Sequence, residues 1–230
     1  MGERRSGWDR PARSAVLGLI GACLGLHRDD DAAQEELAQG YGLALLCHSP
    51  GRLLADYHTT QVPSAKRGRR HATRAAELAE PDLNTILSRR DYRSGAWHLG
   101  AIWPRDSARW SLEELVEVMR RPRFIPYLGR KSCPLGVPLG PRIDEAPDAA
   151  AALLARHTNG PETTLTASGR NLCDVLAASA VEATIVMDAA DMTPGDPRHL
   201  RTEFRRDEPR SRRRWQFDLR EEAVLSTGPA

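Results

Sequence analysis

Apolar residues first gather at helical spacing. Val16, Leu17, Ile20 and Leu24 form one face of a segment from Ala15 to Leu26, with Ser14 placed as its N-cap. Gly18, Gly21 and Gly25 weaken that helix in isolation but let a sheet or a second helix come close. His27 to Asp31 ends it, and Asp31 with Gln34 predicts a capping box for a short helix from Ala32 to Gln39. Tyr41 to Cys47 has the composition of a buried strand. After the turn Ser49-Pro50-Gly51, a second strand is expected from Arg52 to Thr59. Thr60 to Pro81 is basic and lacks a core face, which predicts a mobile loop or an extended arm. Leu83 to Trp103 returns to strand-like sequence, broken near Ser94-Gly95. Ser111-Leu112-Glu113-Glu114 is a capping box. It opens a helix to about Arg120 with Leu112, Leu115, Val116 and Met119 inward, and Pro122 stops it. An Ala-rich helix follows from Ala146 to Arg156, then a turn at Thr158-Asn159-Gly160-Pro161. Ala183 to Met187 reads as a strand, and the alternation of Trp215, Phe217 and Leu219 places another from Arg214 to Arg220. Helices interspersed with strands in this order predict an α+β sandwich.

Composition narrows the partners. A chain of 230 residues with 40% hydrophobic and 28% charged residues suits one large domain or a domain with an appendage. A net charge of only +2 excludes a uniformly basic coat for nucleic acid, so a polyanion must be met by local patches. Lys66-Arg67-Gly68-Arg69-Arg70 is one, and Arg205-Arg206 through Arg210-Ser211-Arg212-Arg213-Arg214 is another. Lysine occurs only at Lys66 and Lys131, so nearly all positive charge is arginine, which forks onto phosphate and stacks on bases. Cys23, Cys47, Cys133 and Cys173 form no C-x-x-C pair, which removes zinc-ribbon and thioredoxin-like readings, and no metal or other cofactor is expected. The apolar run Ala15 to Leu26 is shorter than the roughly 20 residues that span a bilayer. Asp9 and Pro11 interrupt the basic region before it. A cytoplasmic protein without a membrane segment is the expectation.

The densest candidate chemistry lies at Tyr127-Leu128-Gly129-Arg130-Lys131-Ser132-Cys133-Pro134. Glycine allows positive φ and close backbone approach, and Arg, Lys, Ser and backbone N–H groups are the donors that hold phosphate oxygens. It is not a Walker A loop: Phe124 stands where the first glycine belongs, and Arg130 separates Gly129 from Lys131. Arg13 and Ser14, at a helix start, are placed to hold a phosphate there.

Four segments together resemble a known family. They are Pro11 to Ser14 running into Gly18 to Gly25; Asp56-Tyr57-His58-Thr59; Pro122-Arg123-Phe124 into Tyr127 to Leu135; and Arg206-Asp207-Glu208-Pro209 with Gln216-Phe217 and Arg220-Glu221. Their order and spacing are similar to the fifth CRISPR-associated protein family of the RAMP superfamily, in its type I-E Cascade form. The likeness spans most of the chain and is weakest between Arg142 and Arg198.

The resemblance implies a modified ferredoxin-like (RRM-like) domain with a β-hairpin thumb and a small C-terminal β-containing region. It places the RNA-binding domain at 1–143, the thumb at about 60–92, and at 144–230 a region completing or appended to the fold. It implies a non-catalytic RNA-binding subunit of an antiviral surveillance complex. That subunit binds the 5′ handle of the CRISPR RNA, caps the backbone-subunit filament and touches the large PAM-reading subunit. The RNA-binding residues so expected are Arg13, Ser14, Tyr57, His58, Lys66, Arg67, Arg69, Arg70, Arg89, Arg90, Arg130, Lys131 and Ser132, with Tyr57 stacking on a base. The family's opening apolar strand and glycine-rich turn have no counterpart before Met1-Gly2-Glu3-Arg4, so the first strand is expected upstream of this start. The rival reading is a metal-independent endoribonuclease using Tyr57, His58 and Lys131 as base, acid and phosphorane cation. A third is a protein adaptor meeting a basic neighbour through Asp29, Asp30, Asp31, Glu35 and Glu36.

Overall fold

The run from Tyr41 to Cys47 is buried because it is covered on both faces, the environment that produces continuous rather than alternating hydrophobicity. The computed structural model describes residues 4–5, 7–65, 70–167, 170–171 and 182–228. In chain order its elements are β1 (Arg4–Arg5), α1 (Arg13–Leu24), α2 (Asp31–Gln39), β2 (Tyr41–Ser49) and β3 (Arg52–Pro63). Then come α3 (Arg74–Leu78), β4 (Leu83–Ser94), β5 (Trp97–Pro104), α4 (Leu112–Arg120) and α5 (Ala149–Asn159). The short pair β6 (Thr166–Ala167) and β7 (Arg170–Asn171) precedes β8 (Thr184–Asp188), β9 (His199–Ser211) and β10 (Gln216–Ser226).

The chain forms two units: Met1–Asp9 with Arg52–Ser94, and Arg10–Gly51 with Gly95–Ala230. The second holds an antiparallel five-stranded sheet in the order β5-β2-β8-β10-β9. On one face Leu45, Cys47, Val186 and Val224 pack with Val16 of α1. Beside them Leu17, Ile20, Cys23 and Leu24 of α1 meet Leu37 of α2 and Leu115 of α4. On the other face Ala44, Leu46, Ile185, Met187 and Leu225 pack against Ala150 and Leu153 of α5. Leu17, Leu37, Leu46, Leu115, Ile185 and Leu225 are essentially solvent-free, and each such burial contributes about 1.5–3 kcal/mol. β8, β9 and β10 thus share one sheet with β2 and β5. The first unit is a sheet in the order β1-β4-β3, dominated by the antiparallel pairing of the twelve-residue strands β3 and β4 from Arg52↔Ser94 to Pro63↔Leu83.

The helix caps follow the sequence only in part. Ser111 and Glu114 form the expected capping box of α4. At α2 the cap is Asp30, which accepts from the Ala33 N–H, and Gln34 donates to the His27 carbonyl instead of closing a box. At α1 the cap position is Ala12, and Ser14 lies inside the first turn. The Arg13 N–H is satisfied from a distance in sequence, by Asp207 Oδ2 at 2.9 Å. The segment after Thr59 is not structureless: β3 continues to Pro63, and α3, capped by Thr73, precedes β4. β9, a thirteen-residue edge strand, occupies a segment where no strand is expected from the pattern. No helix among the described residues is long and apolar enough to cross a membrane.

Candidate nucleic-acid interface

In the first unit, β3 and β4 make an arm whose positions are mostly exposed on both faces. Tyr57, Leu53, Leu54, Ile86 and Leu87 all show roughly half of their surface or more. Such a hairpin has no core of its own to bury them. Tyr57 stands opposite Arg89, whose Nε donates to Asp91 Oδ1 at 2.8 Å. Arg90 is half-buried opposite Asp56, and Arg70 is exposed. Lys66, Arg67 and Arg69 lie outside the described residues. Tyr57 and His58 are consecutive on an extended strand, so their side chains leave opposite faces of the hairpin. His58 shares its face with Asp56, and its Nε2 sits 2.5 Å from Asp56 Oδ2. Two groups on opposite faces do not converge on one phosphate.

In the second unit, two expected segments come together through buried charge. Arg13 is 3% exposed. Its Nε donates to Glu208 at 2.8 Å, its Nη2 to the carbonyls of Ala38 and Tyr41, and its Nη1 lies 3.3 Å from Asp188. Arg220 donates to Asp207 at 2.7 Å, Asp188 at 2.9 Å and Glu222 at 2.5 Å. Arg10 and Arg205 also reach Glu222, at 2.6 and 3.2 Å. Burial opposes the charge on Arg220, but Asp207, Glu222 and Asp188 more than offset it and hold the guanidinium above its ordinary range. Burial also pushes the Glu208 carboxyl up, against the pull of Arg13. The cavity inside this cluster is about 10 Å³, the room of one water, so it is a structural ion cluster and not a ligand pocket. Arg13, expected as a phosphate ligand, is here an internal ion that ties α1 to β8 and β9. Its Nε and Nη2 are hydrogen-bonded inside the protein, and its Nη1 is buried beside Asp188 without a hydrogen bond among the described residues, so no part of the guanidinium faces the surface.

The loop from Tyr127 to Pro134 is anchored next to α1. The Arg123 and Phe124 N–H groups donate to the Cys23 and Ala22 carbonyls at the helix end. Leu128 N–H donates to the Cys133 carbonyl at 3.0 Å and Cys133 N–H to the Arg130 carbonyl at 2.8 Å, and Tyr127 bridges to Pro134. Gly129 has φ 78°, a left-handed value that any other residue would hold under strain, and a Cβ there would stand 3.4 Å from Ala15. Leu128 and Leu135 pack on the helical core cluster, which leaves Lys131 and Ser132 exposed and Arg130 half-buried.

Arg212 completes this face, and it was not among the expected ligands. It reaches back from the β9–β10 turn to donate to the Ser14 carbonyl at 2.5 Å. Gly18 makes room for it: a Cβ there would lie 2.9 Å from Arg212 Nη1. Burial pulls the Arg212 guanidinium below its ordinary range, with only partial relief from Tyr127 and Glu208, so an added anion would be welcome there. The arginine run around it was visible in the sequence; its contact with the helix start was not.

The chain matches the model of a family described as CRISPR-associated protein (Cas_Cas5) over residues 1–221. It is 36% identical over 152 residues to the CRISPR system Cascade subunit CasD of Escherichia coli (strain K12). That match spans 63% of this chain and 63% of the relative's length. Among solved structures it resembles a chain of a CRISPR RNA-guided surveillance complex with a TM-score of 0.58 at 20% identity, covering 99% of this chain and 83% of the other. It also resembles a crystallised Cas protein with a TM-score of 0.52 at 22% identity, covering 99% and 86%. At these identities the structures establish the fold, an α+β domain of the modified ferredoxin-like kind.

Proposed function

Because the chain belongs to the Cas5 family of CRISPR-associated proteins, we propose that it is the non-catalytic RNA-binding subunit of a type I-E Cascade complex in the cytoplasm. In this reading it holds the 5′ handle of the CRISPR RNA, caps the backbone-subunit filament and contacts the large PAM-reading subunit. The observation that carries the RNA contact is the anchored loop that presents Lys131 and Ser132 to solvent, packed next to the same helix α1 onto whose first turns Arg212 reaches. Cations and a hydroxyl held on a rigid turn position a phosphate backbone without reading its sequence. Arg130 adds to this loop, and Ser14 lies next to it at the start of α1. The arm contributes Tyr57 as a stacking ring and Arg70, Arg89 and Arg90 as phosphate partners, with Lys66, Arg67 and Arg69 on the connection between its strands. His58, on the arm's opposite face from Tyr57, is a further RNA contact of the arm in this reading. The non-catalytic assignment is supported by the divergence of Tyr57 and His58 across the hairpin.

The salt dependence of RNA binding tests this reading against a protein adaptor. Affinity of the full chain for a labelled single-stranded RNA carrying the repeat handle should fall as salt rises, with a log–log slope of about −0.7 per phosphate engaged. Engagement of about four or five phosphates therefore gives a slope near −3, readable by fluorescence anisotropy. Absence of measurable RNA binding at low salt would rule the reading out.

A further inference from the structure

The turn between β9 and β10 carries an unexplained feature. Trp215 has φ 59° and is the one non-glycine residue with positive φ among the described residues. Ser211 pairs with Gln216, so the turn is Arg212 to Trp215, and the Arg214 N–H donates to Ser211 Oγ at 3.2 Å. Glycine or asparagine would take the left-handed position with little strain, and a bulky residue there is an outlier. Backbone strain of this kind persists where the side chain has a use. The ring is 58% exposed. Phe217 meets it edge-on at 5.8 Å, and the guanidinium of Arg28 lies 5.1 Å from its centre. Those two contacts fix the indole while leaving much of its surface to solvent.

The surroundings say what the ring would meet. Arg213 and Arg214 are exposed, and among the described residues no carboxylate lies within ion-pair distance of Arg212, Arg213 or Arg214. Arg210 has only a long exposed pair with Asp218 at 3.9 Å. An exposed indole that follows two exposed arginines without a carboxylate at ion-pair distance, and lies against Arg28, suits a partner with both π faces and negative charge. That is single-stranded nucleic acid and not an apolar protein surface. We infer that Trp215 stacks on an unpaired nucleobase of bound RNA, while Arg213 and Arg214 engage the flanking phosphates. This rests on the RNA-binding reading above and adds a base contact to it.

The test compares the wild type, Trp215→Ala and Trp215→Phe in anisotropy titrations with the same handle RNA. A parallel series of RNAs has one nucleotide at a time replaced by an abasic residue. Stacking predicts about a tenfold loss for W215A, a much smaller loss for W215F, and one abasic position that weakens the wild type but not W215A. Unfolding midpoints of the variants, and Trp215→Gly, which relieves the left-handed strain, control for folding; W215G should unfold no earlier than the wild type. W215A binding intact RNA as tightly as the wild type would overturn the inference while leaving the RNA-binding reading standing. So would an equal loss at every abasic position, and so would loss of a co-purifying protein with RNA affinity unchanged, which would give the ring to a protein partner. Absence of RNA binding by the wild type would overturn both.

Discussion

Replacing Glu222 with leucine is expected to lower the free energy of unfolding by about 3–5 kcal/mol, the usual cost of removing one partner from a buried ion cluster. Glu222 is 1% exposed and accepts from Arg10, Arg205 and Arg220. Without it these largely buried cations lose a carboxylate that all three share, while Arg10 retains Glu203, Arg205 retains Asp207 and Arg220 retains Asp188 and Asp207. The effect reaches the candidate interface, because Asp207 also receives the first N–H of α1 and Arg13 draws Glu208 and Asp188 to the same helix end. Denaturant unfolding with an unchanged m-value measures the loss cleanly. Arg205→Met in the same background should recover part of it, because one of the stranded cations is then gone. A loss below about 1 kcal/mol would mean that water reaches the cluster and screens it.

Lys131→Glu combined with Ser132→Ala should weaken binding of the handle RNA by about 100-fold at physiological salt. Hydrogen bonds to charged groups are worth about 1.5–3 kcal/mol each, and the reversed charge adds repulsion from phosphate. Both side chains are exposed and lie outside the helical core cluster, so the unfolding midpoint should not move. The salt slope should become shallower by about 0.7 for each phosphate that the variant no longer engages. Anisotropy titrations at two or more salt concentrations give both numbers. Unchanged affinity and slope would remove this loop from the interface.

Much of the second unit could be read from the chain. The helical face of Val16, Leu17, Ile20 and Leu24, the buried run of β2 and the Ser111–Glu114 box all signal through local chemistry, and each is present. β9 is silent for a definite reason. Its inward positions include Arg205 and Asp207, so the alternation that marks a half-buried strand is written in charges and looks solvated. The cap of α1 is equally invisible, because the acceptor lies 194 residues away on β9. The same limits governed the site. The Gly129–Ser132 turn carries its own signal in glycine and cations. A single chain gives no sign that Arg13 points inward, that Tyr57 and His58 diverge, or that Arg212 crosses onto the first turns of α1. The motifs that carry the family resemblance at Pro11–Ser14 and Arg206–Pro209 turn out to meet each other. Their residue types are explained at least as well by a shared buried ion cluster as by contact with RNA.

Co-expression of the tagged chain with the remaining Cascade subunits and a repeat-spacer RNA, followed by native mass spectrometry, tests the central claim most directly. The account predicts a complex whose mass contains one copy of this chain together with one processed RNA. It also predicts that an otherwise identical preparation lacking the chain loses the capped assembly. Soluble, folded chain that never enters the complex, beside a complete RNA-loaded assembly formed without it, would contradict the account.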